Sequence, residues 1–136
     1  GAPYGLLMIG ASAALAEAAA DTVSSEIGQW IGHRPYMITT MRPVEAGTDG
    51  GITLIGTLVG VVAGMFVAAS CVWARLIVVR WFWLVTLCAT AGMLIDSVLG
   101  ATLERQGKLG NDGVNYSSSA IAATLALGIG LLLVLR

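Results

Sequence analysis

The stretch "ITLIGTLVGVVAGMFVAASCV", Ile52 to Val72, contains no charged residue. A helix needs about 20 mostly apolar residues to cross a bilayer, and a run of this length and purity fits a membrane span better than any element of a soluble core. Three further runs join it, so the spans are expected near residues 4–20, 52–72, 81–102 and 118–135. The chain is 57% hydrophobic and only 11% charged, against about a quarter charged in a soluble domain. The expected fold class is therefore all-α: a polytopic membrane helix bundle of about four transmembrane helices, forming a single integral membrane domain over residues 1–136.

Four spans in series alternate sides of the membrane. The polar connections 28–51 and 103–117 then share one face, and the short Trp/Arg connection lies on the other with Arg136. Trp73, Trp81 and Trp83 fit an aromatic belt at headgroup level. Basic residues divide four (Arg34, Arg42, Arg105, Lys108) against three (Arg75, Arg80, Arg136), too evenly to orient the protein by charge. Net charge is −1, which gives no basic field for nucleic acid. Cys71 and Cys88 have no disulfide or metal spacing and read as packing residues, and the lone His33 reads as structural or solvated. No basic segment and cleavage site opens the sequence, so no signal peptide is read there.

Charged and hydroxylic residues interrupt this pattern in four places. In "EAAADTVSSEIG", Glu17, Asp21 and Ser25 recur every four residues and share one helix face, while Glu26 lies nearer the surface. A carboxylate on that face needs a partner or a cavity. In "MRPVEAGTDGGITLIGT", Gly47, Gly50 and Gly51 bracket Thr48 and Asp49 just before the second span. Glycines and a helix N-terminus can turn backbone N–H groups toward an anion, although a plain turn and cap has the same composition. Arg42 upstream is a candidate phosphate clamp. In "LIDSVLGATLE", Asp96 sits inside an apolar run with Gly92 and Gly100 one turn away on either side. In "NDGVNY", Asn111 and Asn115 precede the last span in what reads as an ordinary turn, followed by "SSS" as an N-cap. Within the second span, Gly56, Gly60 and Gly64 form a stripe suited to close helix packing.

Topology gathers the four stretches at one membrane surface. Two buried acids beside a phosphate-cradling loop suit a divalent cation, since Mg²⁺ is commonly held by one or two carboxylates together with substrate phosphates. The expected roles are Asp21 and Asp96 as metal ligands and, with Arg42, as catalytic residues. Gly47, Thr48, Asp49, Gly50 and Gly51 are expected to cradle polyphosphate oxygens, with Ser25, Glu26, Asn111 and Asn115 completing the site.

These blocks, in this order, resemble the membrane family that contains the chloroplast phytyl-phosphate kinase and transmembrane protein 19. The resemblance rests on "ADTVSSEIG", "ITTMRPVEAGTDGGITLIGT", "DSVLGATLE" and "NDGVNY", and spans roughly residues 17 to 120, as in the C-terminal part of a longer member or in a compact homologue. A looser similarity links them to the CTP-dependent dolichol and phytol kinases. There Asp21, Arg42 and "EAGT" are the counterparts, with Ala46 as an extra residue and Arg42 in place of the usual Lys. The resemblance implies transfer of a phosphate from CTP or ATP to an isoprenoid phosphate or alcohol, with Mg²⁺. The expected partners are the bilayer, the nucleotide and the prenyl lipid, with a homo-oligomer as an option. A nucleotide substrate would put the polar face on the cytosolic side or an equivalent nucleotide-containing side. The competing reading is a small ion or solute transporter, or a non-catalytic membrane assembly subunit, because intramembrane acids and glycine-broken helices also mark ion pathways.

Overall fold

The computed structural model describes residues 2–31 and 34–135, so His33 and Arg136 lie outside the described residues. Four helices dominate: α1 (Ala2–Ile31), α2 (Leu54–Trp73), α3 (Phe82–Leu99) and α4 (Asn111–Val134). All four are long and apolar enough to cross a membrane. At 1.5 Å of rise per residue, 20 residues in α2 reach about 30 Å, the thickness of the hydrocarbon core. The architecture is an all-α polytopic bundle. One minor addition interrupts the first polar connection: β1 (Tyr36–Met37) pairs antiparallel with β2 (Gly51–Ile52), Tyr36 opposite Ile52.

α4 starts ahead of the span expected at 118–135, and α1 runs past 4–20 through its polar end, as the shared helix face of Glu17, Asp21 and Ser25 implies. α1 continues to Ile31. Its hydroxyl groups are accommodated within the helix, with Thr22 Oγ1 donating to the Ala18 carbonyl (2.8 Å) and Ser25 Oγ to that of Asp21 (3.0 Å). α4 begins at Asn111 with Gly110 as its N-cap. "NDGVNY" is therefore the first turns of a helix and not a loop, and the three serines lie inside the helix instead of capping it. Burial of Val114 against the bundle outweighs the turn preference of Asn, Asp and Gly.

Helices α1 and α3 pack on each other and on both remaining helices, with α2 and α4 flanking the pair. The α1–α2 seam is built from small residues. Gly56 and Gly60 of α2 are buried, and a Cβ there would lie 2.5 Å from the Ser24 carbonyl oxygen and 2.7 Å from that of Ala20. Ala16, Ala20, Ser24 and Gly28 supply the matching stripe on α1 at four-residue spacing.

At the end remote from the polar connections, Ile77, Trp81, Val85 and Cys88 pack with Ala13, Ala68 and Cys71 into an apolar cluster. Cys71 and Cys88 are free, buried thiols that serve this packing. Trp73 and Trp83 face outward as a belt would, whereas Trp81 is only 8% exposed and belongs to the cluster. The exposed Arg80 guanidinium lies over the Trp81 ring at 4.6 Å and covers the outer face of the buried indole.

Candidate functional site

A cavity of about 370 Å³ opens at the polar end of the bundle, within the size range of small-molecule sites. Its walls come from the last turns of α1, the loop before α2, the end of α3 and the first turns of α4. Asp21, Ser25 and Glu26 contribute from α1, and Asp96 from α3. Gly47, Thr48, Asp49, Gly50 and Gly51 form the loop wall, and Asn111 and Asn115 close it from α4. Eleven of the twelve residues singled out from sequence thus share one cavity. Arg42 does not. It is exposed on the loop away from these walls, and its carbonyl oxygen instead accepts from Met37 N–H (2.9 Å), which fixes the loop fold.

The Gly47–Gly51 loop is a turn first. Thr48 N–H donates to the Glu45 carbonyl (3.2 Å) and Gly51 N–H to that of Thr48 (2.9 Å), so these two amides are not free for an anion. The Thr48 hydroxyl also donates to the Glu45 carbonyl (2.8 Å). Among the described residues, the N–H groups of Gly47, Asp49 and Gly50 meet no protein acceptor. Gly47 (φ 83°) and Gly50 (φ 77°) occupy the left-handed region that favours glycine. Gly50 rests so closely on Ala101 that a side chain there would collide with it.

Beneath Gly50, α3 changes pitch. Gly100–Glu104 forms a π-helical turn. Two residues eight apart on an α-helix are rotated by about 80° about its axis, and a π turn, with more residues per turn, reduces that angle. Glu104 consequently joins Asp96 on the cavity wall. Nothing in the composition of "GATLE" signals this change of pitch, and Glu104 escaped the sequence reading.

The cavity is strongly acidic. Asp21, Glu26, Asp49, Asp96 and Glu104 line it, and among the described residues no Lys or Arg does. Asp21 and Asp96 approach within hydrogen-bonding reach of each other, and Glu17 stands near enough to Asp21 to act on it electrostatically. Ser118, fully buried on α4, donates to Asp96 Oδ1 (2.8 Å) and fixes that carboxyl. One turn deeper, Ser119 donates to Glu17 Oε2. Glu17 is 1% exposed, and among the described residues its Oε1 has no hydrogen-bond partner. Gly92 makes room for it, since a Cβ there would lie 2.5 Å from Glu17 Cγ. In the sequence Ser118 and Ser119 look like part of a helix cap, because hydroxyls carry no mark of what they will touch.

No group of three His, Cys, Asp or Glu side chains among the described residues is arranged to hold a metal by itself. The juxtaposed Asp21 and Asp96 carboxyls nonetheless fit a cation whose other ligands come from a phosphate, because two facing carboxylates with no basic neighbour require a proton or a positive charge between them.

With this geometry, the family described as Integral membrane protein DUF92 matches residues 2–123. The chain belongs to that family. Among its relatives is an uncharacterized membrane protein of Methanocaldococcus jannaschii, 37% identical over 124 residues, covering 88% of this chain and 50% of the relative. An uncharacterized membrane protein of Synechocystis is 35% identical over 124 residues, covering 90% of this chain and 48% of its own. Protein VTE6, chloroplastic, of Arabidopsis thaliana is 34% identical over 110 residues, covering 79% of this chain and 33% of its own. The chain of this DUF92 member therefore spans about half the length, or less, of the curated relatives it matches. No solved structure matches it significantly.

Proposed function

We propose that this DUF92 chain forms the reaction centre of a membrane-embedded phosphotransferase that moves the terminal phosphoryl group of CTP or ATP to an isoprenoid alcohol or phosphate. One observation carries the reading: Asp21 of α1 and Asp96 of α3 meet on the wall of a polar cavity that opens at one membrane surface, facing a glycine-rich loop. The resemblance of the four blocks to the isoprenoid kinases supports it, as does the similarity to a chloroplastic plant relative.

Five carboxylates repel a bare polyphosphate, so the nucleotide must arrive with compensating cations. Asp21 and Asp96 would hold Mg²⁺, which when bound neutralises charge on the phosphate oxygens. Ser118 keeps the Asp96 carboxyl in place for that duty. The free N–H groups of Gly47, Asp49 and Gly50 would meet phosphate oxygens, and the amides of Asn111 and Asn115 would orient the rest of the nucleotide. The bundle favours this reading over a transport path, because the polar walls occupy one end and the apolar cluster around Trp81 closes the other.

Purified protein in nanodiscs, given CTP or ATP labelled in the terminal phosphate, Mg²⁺, and a panel of isoprenoid alcohols and monophosphates, tests the proposal. A labelled lipid product is expected. Absence of label from every combination overturns it.

A further inference from the structure

A second, smaller cavity of about 50 Å³ lies between α1 and α4. Asp21, Thr22 and Asn115 line both it and the main cavity, so the two are neighbours that share a wall. Its own residues are Glu17, Ala18, Ser118 and Ser119. Ala18 is exposed on α1 one turn further from the polar end than Thr22 and lies off the main cavity, so the recess opens along the seam between α1 and α4. Its floor holds Glu17, whose buried Oε1 has no partner among the described residues.

An acceptor oxygen without a donor at this depth is costly, by about 1–3 kcal/mol for a neutral group and more for a charged one. Gly92 is kept free of a side chain where Glu17 packs, and Ser119 engages only Oε2. The volume suits a hydroxyl-sized group or a water, a single water taking about 30 Å³ in the liquid, and excludes a nucleotide.

We infer that the recess between α1 and α4 is the subsite for the head group of the lipid acceptor, with Glu17 Oε1 accepting a hydrogen bond from its O–H while the chain lies along the rim at Ala18. This deepens the phosphotransferase reading and rests on it for the identity of the acceptor. The required chemistry is an O–H donor on a lipid tail, supplied either by an isoprenoid alcohol or by one protonated oxygen of its phosphomonoester. The other oxygens of that phosphate are too large for a recess of about 50 Å³ and would lie outside it, toward the main cavity. A head group held there lies beside Asp21, at the shared wall, and so next to the phosphates in the main cavity. The nucleotide reaches the site from the aqueous face and the lipid from the side.

The test uses Glu17→Gln, which keeps the shape but alters the acceptor, and Ala18→Trp, which fills the rim from an exposed position and leaves the interior untouched. In phosphorylation assays both variants should raise the KM for the lipid, Glu17→Gln about tenfold, the worth of one hydrogen bond, and Ala18→Trp, which lies off the nucleotide cavity, should leave the KM for nucleotide unchanged. Running the alcohol and the monophosphate in parallel shows which of the two carries the O–H. An unchanged lipid KM in both variants overturns the inference, since a trapped water would give that result. A diazirine-bearing isoprenoid alcohol supplies a readout that needs no turnover. Without nucleotide it should crosslink wild-type protein within residues 15–22 and 115–122, and Ala18→Trp should lose that label. Crosslinking elsewhere overturns the subsite. If no nucleotide gives a lipid product, the phosphotransferase reading falls, and the crosslinks still decide whether the recess binds lipid.

Discussion

Asp21 and Asp96 are 75 residues apart in sequence and line one cavity, and under the proposed function they are the positions to change first. Asp21→Asn and Asp96→Asn each keep the size of the side chain while removing a charge. Losing one preorganised charged group at the proposed phosphoryl-transfer site is expected to lower kcat by about 10²–10³-fold, measurable as initial rates of lipid labelling. Arg42→Ala is expected to change the rate within about twofold, the ordinary range for an exposed position, because Arg42 stands off the cavity. The two aspartates were legible in the sequence because a carboxylate in an apolar run must answer to something. Arg42 is close to the glycines in sequence yet lies off the cavity, since the loop fold, tied through the Met37 and Gly50 backbones, decides where that residue emerges. Glu17 was noticed as an acid deep in a span, but its pairing with Ser119, 102 residues away, had no local trace.

Among the elements, the seam between α1 and α2 sets the shape of the site. Gly60→Val would place side-chain atoms against the Ala20 carbonyl oxygen and Ser24 and force the helices apart. Overpacking of this kind costs about 1–3 kcal/mol, and the backbone contact puts Gly60 at the upper end. Unfolding in mixed micelles should show the loss, together with reduced phosphorylation as Asp21 swings away from Asp96. Thr53→Ala removes the side chain that accepts from Gly56 N–H (3.0 Å) at the start of α2 and should cost about 1 kcal/mol in the same measurement. The glycine stripe and the existence of four helices could be read directly, since hydropathy and four-residue spacing are local properties. Helix ends were less accessible. The polar ends of α1 and α4 are helical because their polar groups face a shared cavity, and the π turn at the end of α3 answers to the loop lying on it.

For the whole molecule, the alternation of spans places the cavity loops and the Trp/Arg connection on opposite membrane surfaces. Asp112 and Val78 are exposed at the two ends. Single cysteines at Asp112→Cys and Val78→Cys, in sealed vesicles of uniform orientation, should react with an impermeant maleimide from opposite sides, while the buried Cys71 and Cys88 stay unlabelled. Labelling of both introduced cysteines from one side would contradict the arrangement. This level of organisation was the most legible, because the bilayer restricts what a greasy chain can do. The seam where Gly56 and Gly60 meet carbonyl oxygens has one more implication. Substitutions on the lipid-facing sides of α1 and α2 can drift among Leu, Val, Ile and Phe without disturbing the alignment, whereas the inner stripe tolerates almost no variety. One helix thus carries two regimes of mutational freedom, side by side.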